Sequence, residues 1–297
     1  MIGSTIAGTD TDVARLQEVA RRIRVEVVRT VHAARAGHMG GSLSEADILA
    51  ALYFHVMRIR PEQPDWPSRD RFVLSKGHAS VGLYATLALR GYFPVAVLPS
   101  FDSAGTILQG HPDMTRTPGI DMSTGSLGMG ISAAAGIALG ARLQASDART
   151  FVLLGDGECQ EGAVWEAAFV AARYGLDRLV AIVDHNKLQQ YGWQGDSADD
   201  RLPPEAAGEL VAKWTAFGWR VIEVDGHDLR ALLDAFAAAA DGDGRPIAIV
   251  ANTVKGRGVS YAEGRYEWHT KIPNEAEFAL AMTELGEPAP SDREAVR

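Results

Sequence analysis

The sequence predicts an α/β fold in which a doubly wound, mainly parallel sheet carries helices on both faces. From residue 151 onward, short apolar runs alternate with longer segments of helical periodicity. The runs are apolar at successive positions, which is typical of strands buried on both faces of a parallel sheet. In sheets of this kind, ligands bind outside the carboxyl ends of the strands, where loops lead into helices.

Each element is predicted from its own pattern. Apolar residues recur at helical spacing over residues 13–35, which predicts an amphipathic helix ended by Gly37, and residues 48–57 predict a second helix. Residues 72–74 form a short apolar run, followed by a polar loop over 75–78 and another helical stretch. Strands are predicted over 151–154, 179–183, 219–224 and 247–250, helices over 161–174, 204–217 and 229–239, and a long functional loop over 253–271.

Length and composition predict a single domain over residues 1–297, with a core from about 13 to 285 and a frayed polar tail after 286. A net charge of −9 argues against non-specific nucleic-acid binding, which requires a basic surface. The single cysteine, Cys159, cannot form an internal disulfide, which suits a reducing compartment. The N-terminus lacks the features of a secretory signal, and the Ala-rich stretch 133–141 is too short to span a membrane. A soluble, cytoplasmic protein is therefore expected.

Two polar residues follow neighbouring predicted strands. Asp156 lies between two glycines after one strand, and Asn186 follows the next strand along the chain. Because adjacent parallel strands end at the same edge, we expect these side chains to lie close together. A carboxylate and an amide oxygen suit Mg²⁺, which completes its octahedron with phosphate oxygens and water. Gly157 and the amides of the following helix would accommodate an anion, so the pattern predicts a Mg²⁺–diphosphate site, although a glycine-flanked aspartate alone would equally suit a tight turn.

Five ordered motifs resemble those of the transketolase family. Residues 155–162, continued by 183–188, resemble its thiamine-diphosphate signature. Residues 37–42, 69–79, 110–112 with 118–130, and 253–258 with Trp268 and His269 resemble its histidine-bearing segments, in the same order. The resemblance covers almost the whole chain. It implies the thiamine-diphosphate-binding fold, with thiamine diphosphate as cofactor and Mg²⁺ as its metal, for which Ca²⁺ or Mn²⁺ can substitute.

The resemblance also implies a role for each matching residue. The metal ligands would be Asp156, Asn186 and the backbone carbonyl of Leu188. At the diphosphate, the cofactor would contact His78, His269 and the Gly157 amide. At the aminopyrimidine ring, it would contact Gly125, Ser126 and Leu127. The remaining cofactor contact, Glu161, would lie near the partner subunit. The catalytic residues, which would line the substrate channel, are His38, His111 and His269.

Histidine suits this reaction on chemical grounds. Ketol transfer makes and consumes alkoxides at sugar hydroxyls, so each step moves a proton, and imidazole both donates and accepts near neutral pH. The other four histidines are expected outside the site: His32 and His55 in helices as packing or surface residues, and His185 and His227 in turns.

Three further features have ordinary explanations. Residues 128–133 imitate a dinucleotide-binding fingerprint, but no apolar strand precedes them. Cys159 has no evident basic partner and is expected to be a small packing residue. Lys255 could approach a phosphate, but a solvated lysine is at least equally compatible with the sequence.

The resemblance implies that half of the active site lies elsewhere. In transketolases, the carboxylate that protonates the aminopyrimidine belongs to the next domain, which we do not expect within these residues. The chain is therefore expected to be the N-terminal subunit of a split bacterial transketolase, moving a glycolaldehyde unit between sugars or sugar phosphates. Its partner would be a C-terminal subunit with the pyrimidine-binding domain, in an α2β2 assembly. Two alternatives stay open: a related enzyme, such as a deoxyxylulose-phosphate synthase or a keto-acid decarboxylating subunit, and a non-catalytic scaffold.

Overall fold

A five-stranded parallel sheet forms the centre of the computed structural model, which describes residues 8–190 and 206–288. Its strands are β1 (Arg71–Leu74), β2 (Thr150–Gly155), β3 (Leu179–His185), β4 (Arg220–Asp225) and β5 (Ile247–Asn252). They are ordered β1-β2-β3-β5-β4, and every neighbouring pair is parallel. The predicted α/β class with a parallel sheet is confirmed.

Helices cover both faces of this sheet. In chain order they are α1 (Asp10–Ala34), α2 (Met39–Ser44), α3 (Ala46–Ala51), α4 (Ser80–Arg90), α5 (Gly130–Leu143), α6 (Gly162–Arg173), α7 (Ala207–Ala216), α8 (Leu229–Ala240) and α9 (Glu275–Glu284). Alternate residues of each strand point to opposite faces. In β2, Phe151 and Leu153 pack in the core that includes α1, α3, α4 and α8, whereas Val152 and Leu154 pack with α5, α6 and α7. The doubly wound arrangement follows from this alternation.

The first helix begins earlier than its apolar pattern predicts. Thr9 caps α1: the Thr9 hydroxyl accepts a hydrogen bond from the Asp12 amide, and the Asp12 carboxylate accepts one from the Thr9 amide. This reciprocal capping box pairs two backbone amides that would otherwise lack partners, so the polar residues before 13 join the helix. The helix ends where Arg35 adopts a left-handed conformation, φ 53°.

Several predicted elements differ from the observed ones. The second predicted helix, residues 48–57, is observed as α3, which begins at Ala46, followed by a π-helical turn at Leu52–Val56. A separate helix, α2, occupies most of the segment 37–42. A 3-10 turn at Gly77–Ala79 overlaps the end of the predicted polar loop 75–78. Helices α5 and α9 were not predicted. The helix predicted from residue 204 begins at Ala207, and residues 204–205 lie outside the described residues.

Two further corrections concern the ends of elements. β3 continues two residues beyond its predicted end, so the buried His185 lies in the strand and not in a turn. Glu287 forms ion pairs with Arg21 and Arg29, which hold this residue against α1; the predicted tail beyond 288 lies outside the described residues. Among the described residues, no helix has the length and apolar character needed to cross a membrane.

Candidate active site

The candidate site lies at the carboxyl ends of β2 and β3. These strands pair directly, with Gly155 opposite Asp184, and therefore bring Asp156 and Asn186 to the same edge of the sheet. A cavity of about 540 Å³ opens there, and both residues line it. The adjacency that the sequence predicts for these two residues is thus present in the fold.

The Asp156 carboxylate is held by neutral donors. It accepts hydrogen bonds from the backbone amides of Gly157 and Lys187, at 2.8 and 2.6 Å. Lys187 adopts a left-handed conformation with φ 66°, which turns its amide toward the carboxylate. Burial, and then the charge of Asp184, raise the pKa of Asp156 to about 6. A cation beside this carboxylate would offset both effects, because it favours the charged form.

Asn186 and Leu188 add two neutral oxygen atoms. The Asn186 side-chain amide donates to Asp184 at 3.2 Å, which orients its Oδ1 atom toward the opposite side, where it accepts the Leu188 amide at 3.1 Å. The Leu188 carbonyl accepts a hydrogen bond from Lys255 at 3.2 Å and retains a second lone pair. A carboxylate, an amide oxygen and a peptide carbonyl form the kind of hard donor set that Mg²⁺ prefers when phosphate and water complete its coordination. The residues present fit that ion.

Buried charges support this edge of the sheet from below. The Lys76 ammonium lies 2.6 Å from Asp184 Oδ2 and 2.8 Å from Glu45 Oε2, and all three residues are buried. Burial opposes the charge of Lys76, but the two carboxylates outweigh it and raise the pKa of Lys76. Asp184 also accepts hydrogen bonds from Ser44 and Thr253. The network fixes Asp184, and through it the side chain of Asn186.

Three histidines from separate segments meet above this network. The ring centres of His38, His78 and His269 lie 5.0–5.2 Å from one another. Burial lowers the pKa of His78 to about 2 and that of His269 to about 3, and it also lowers the pKa of His38. Neighbouring Lys76 and Lys255 add to the effect. All three imidazoles are therefore neutral near pH 7, so each has one donor and one acceptor nitrogen.

Two further contacts shape the cavity. A Cβ atom at Gly157 would lie 2.9 Å from Gln189 Cγ, so the missing side chain leaves room at the mouth of the site. The buried Glu158 carboxylate accepts hydrogen bonds from Ser75, Gly128 and Gly155, at 2.5, 2.8 and 3.1 Å. It therefore ties the ends of β1 and β2 to the segment before α5. The sequence predicted that the amides of the helix after Gly157 would face the anion. In the structure that helix, α6, begins only at Gly162, because a 3-10 turn at Gly157–Gln160 precedes it.

Comparison with known proteins identifies the family of this fold. Residues 16–293 match the family described as "Transketolase, thiamine diphosphate binding domain", which accounts for most of the chain. The chain belongs to the transketolase family. It is 44% identical over 270 residues to the 6-deoxy-6-sulfo-D-fructose transketolase subunit SqwG of Clostridium sp. (strain MSTE9), covering 91% of this chain and 96% of that relative. It is 41% identical over 271 residues to one of the subunits of the apulose-4-phosphate transketolase of Actinobacillus succinogenes, covering 91% and 95% respectively.

Solved transketolase structures have the same fold but longer chains. The transketolase of Leishmania mexicana matches with a TM-score of 0.84 and 31% sequence identity, covering 93% of this chain but only 42% of that one. The chain thus corresponds in length to the transketolase subunits and spans about two fifths of the longer transketolase. The chain thus contains the thiamine-diphosphate-binding domain of a transketolase.

Most of the predicted site residues line this cavity. The exceptions are His111 and Ser126. His111 is exposed, and its ring lies 3.3 Å from the position of a Cβ atom at Gly125. Ser126 lines an adjoining cavity of about 350 Å³, which it shares with Gly125. The individual roles of these residues remain predictions.

Lys255 is buried, so of the two alternatives left open by the sequence the solvated lysine is excluded. It is 2% exposed, and its ammonium contacts the carbonyls of Leu188 and Gln189 at 3.2 Å and His269 Nδ1 at 2.9 Å. Burial lowers its pKa to about 8. Lys76, Glu158 and Gln189 were also missed as cavity residues. Lys76 lies two residues after the end of the buried strand β1, which is the signal that could have identified it, whereas the burial of Lys255 depends on segments distant in sequence.

Proposed function

We propose that this chain, folded as one domain over residues 1–297, is the cofactor-binding subunit of a two-chain transketolase. The enzyme moves a two-carbon glycolaldehyde unit from a ketose to an aldose. The observation that carries the proposal is the cluster of three neutral imidazoles beside the oxygen donors of Asp156 and Asn186. A metal–diphosphate site is common to many reactions, but a site that also concentrates proton-transferring groups suits chemistry at sugar hydroxyls.

The cofactor would be held at its diphosphate end by this chain. Asp156, Asn186 and the Leu188 carbonyl are the proposed Mg²⁺ ligands, and the Gly157 amide, His78 and His269 are the proposed diphosphate contacts. Lys76 and Lys255 line the same cavity and contribute the positive charge that an anionic ligand requires. When bound, thiamine diphosphate supplies the carbon nucleophile that accepts the two-carbon unit, and the protein contributes position, charge and proton transfer.

His38, His111 and His269 are the proposed proton-transfer residues. His269 Nδ1 lies 2.9 Å from the Lys255 ammonium, which can only donate, so Nδ1 accepts and Nε2 carries the proton. This tautomer makes His269 Nε2 a hydrogen-bond donor for a substrate oxygen. His38 lies 5.2 Å away, ring centre to ring centre, close enough for both residues to contact one sugar.

The proposed partner is a second chain with a pyrimidine-binding domain, in an assembly of two copies of each chain. Gly125 and Leu127 line the cavity, Ser126 and Met129 line the adjoining one, and the apolar side chains of Leu127 and Met129 are exposed. An exposed apolar patch beside a ligand site is typical of an interaction surface. The names of similar proteins as transketolase subunits support the same arrangement.

Relatives also suggest a substrate class. One is named for 6-deoxy-6-sulfo-D-fructose and another for apulose-4-phosphate. We therefore propose that the donor is a sugar that carries an anionic group.

The test is an assay of the purified chain with and without the chain encoded beside it that carries a pyrimidine-binding domain. Thiamine diphosphate and Mg²⁺ are present throughout, and the donor is either a phosphorylated ketose or pyruvate, with an aldose acceptor. We expect transfer only from the ketose and only with both chains. Turnover from pyruvate alone would instead favour a related synthase or decarboxylase. Cofactor binding without turnover from any donor would favour a scaffold, and ketol transfer by this chain alone would contradict the two-chain proposal.

A further inference from the structure

His227 lies in the turn between β4 and α8, and both of its ring nitrogens have partners. Nδ1 is 2.7 Å from Asp47 Oδ2, and Nε2 accepts a hydrogen bond from the Val254 amide at 2.8 Å. Because a backbone amide can only donate, Nε2 must be unprotonated, and Nδ1 must carry the proton that is donated to Asp47. The two contacts therefore require one tautomer of His227. The sequence predicted only that this residue occupies a turn.

Asp47 is itself held in place by a buried ion pair. Arg24 from α1 donates to the Asp47 carboxylate in α3, and both side chains are about nine-tenths buried. Arg24 also donates to the Leu43 carbonyl at 3.3 Å. Since Arg24 already balances the charge of Asp47, the carboxylate can accept a hydrogen bond from a neutral histidine. Arg24, Asp47 and His227 thus form a chain of contacts from the first helix to the Val254 amide.

Val254 begins the segment that carries Lys255 into the candidate site. The Thr253 amide donates to the His185 carbonyl at 3.1 Å, and the Gly256 amide donates to the Gly40 carbonyl at 3.0 Å. The Val254 amide, between them, donates to a side chain. The next residue, Lys255, extends to the Leu188 carbonyl and to His269. The position of the Lys255 ammonium therefore depends on a backbone segment that His227 restrains.

We propose that His227 is a positioning residue for the cofactor site. Its Nε2 atom fixes the Val254 amide, and this directs Lys255 toward the residues that would hold the metal and the diphosphate. The inference rests on the proposed function only in taking the cavity as the thiamine-diphosphate site. His227 itself does not line that cavity and would contact neither cofactor nor substrate.

Two substitutions separate the contacts of the imidazole ring. In His227→Gln, the side-chain oxygen can occupy the position of Nε2 and accept the Val254 amide, but the contact with Asp47 is lost. In His227→Asn, the side-chain amide occupies the position of Nδ1 and can still donate to Asp47, but it is too short to reach Val254. The pair therefore distinguishes a role at Val254 from a general packing role.

The first measurement is hydrogen exchange of the Val254 amide in the full chain. A lost hydrogen bond of ordinary strength corresponds to roughly tenfold faster exchange, which we expect in His227→Asn. We expect His227→Gln to stay within about threefold of the wild type, because its acceptor is retained. In Lys255→Met, which leaves the His227 contact intact, the Val254 amide should exchange as in the wild type. Fast exchange in Lys255→Met would mean that Lys255 holds the segment, and this would overturn the inference even if the His227 variants failed to fold.

The second measurement is the affinity of the assembled two-chain enzyme for thiamine diphosphate with Mg²⁺, by titration calorimetry. We expect about tenfold weaker binding in His227→Asn and near-wild-type binding in His227→Gln. In a Lys255→Met background, His227→Asn should have little further effect, because both substitutions remove the same contribution. Additive losses, or unchanged affinity in His227→Asn, would overturn the inference. If the wild-type enzyme binds no thiamine diphosphate, the proposed function fails, while the exchange experiment still decides the role of His227.

Discussion

The two sides of the candidate site differ in how completely this chain builds them. On the side of the strand ends, Asp156 and Asn186 are oriented by hydrogen bonds, and a buried network around Lys76 and Asp184 lies beneath them. At residues 125–129, by contrast, apolar side chains are exposed among the described residues: Leu127 is 39% exposed and Met129 is 55% exposed. We call the strand-end side, which this chain orders with its own hydrogen bonds, the finished side. We call the side formed by residues 125–129, which presents an exposed apolar surface, the open side.

This contrast explains what the chain can do by itself. The finished side supplies the oxygen donors and positive charges that a metal-bound diphosphate requires. The open side could contact one face of a flat ring but cannot enclose it. We therefore expect this chain to determine cofactor and metal affinity, and the partner to determine activation and sugar specificity. The following predictions test the two sides separately.

The largest effect is expected at the metal ligand on the finished side. Asp156→Ala removes the only predicted anionic ligand, so binding of thiamine diphosphate with Mg²⁺ to the assembled enzyme should fall below detection by titration calorimetry. Removing the metal with a chelator should have the same effect on the wild type. Asp177→Ala, which removes a carboxylate near the opposite edge of the sheet, is the control and should bind normally. Wild-type affinity in Asp156→Ala, or in chelator, would remove the metal site from the proposal.

A smaller effect is expected where the two sides meet, at the histidines. His38→Ala and His269→Ala should each lower the rate of ketol transfer roughly a hundredfold, which is typical of removing one positioned proton donor or acceptor. Cofactor affinity should change less than the rate: neither residue is a proposed metal ligand, and the diphosphate contact expected of His269 is one of several. His32→Ala is the control: His32 stacks on Phe278, 4.1 Å between ring centres, away from the cavity. Rates in both site variants equal to the control would exclude these residues from the mechanism.

The finished side was also the more predictable one. Strands β2 and β3 are apolar at successive positions, so their ends could be located from sequence to within two residues, and parallel pairing then placed Asp156 beside Asn186. Most of the predicted site residues line the cavity because the family motifs surround these strand ends, while their individual roles stay predictions. Short-range patterns were sufficient here, since each residue follows directly from the element that precedes it.

Other features depend on contacts that no local pattern contains. Helix α5 is composed largely of Ala and Gly, so it lacks the contrast between apolar and polar faces that marks an amphipathic helix. Lys255 is buried by Leu188 and His269, which are 67 and 14 positions away in the chain. His227 contacts Asp47 across 180 positions. For such residues the surroundings, and hence the role, are determined only when the chain has folded.

A third prediction uses two glycines that begin neighbouring elements: Gly157 begins the 3-10 turn before α6, and Gly162 begins α6 itself. Gly157→Ala places a methyl group 2.9 Å from Gln189 Cγ at the mouth of the cavity, whereas a methyl group at Gly162 would meet nothing within 4 Å. We expect Gly157→Ala to weaken thiamine diphosphate binding about tenfold, which corresponds to about 1.4 kcal/mol. Gly162→Ala should bind as the wild type does. Equal affinities in the two variants would mean that the cofactor does not approach Gly157 closely.

The smallest effect is expected on the open side, and there the affected quantity should be association with the partner. Met129→Glu places a carboxylate in the exposed apolar patch beside the cavity, where a partner surface would have to bury the charge or leave it in a gap. Only a minority of interface residues contribute more than about 1 kcal/mol to binding, so we expect the dissociation constant for the partner chain to rise about fivefold. The folding stability of the chain alone should change by less than about 0.5 kcal/mol, because exposed substitutions outside special features have little effect.

The matched control for this variant is Leu280→Glu, an exposed leucine on α9 that is 46% accessible. It introduces the same charge into the same kind of surface but is distant in sequence from the segment that lines the cavity. Association can be measured by analytical ultracentrifugation or interferometry, and stability by denaturant unfolding of the chain alone. If both variants weaken association equally, the effect belongs to net charge and not to the open side. If neither does, the partner covers the cofactor without touching Met129, and the surface by which this chain meets its partner must lie elsewhere.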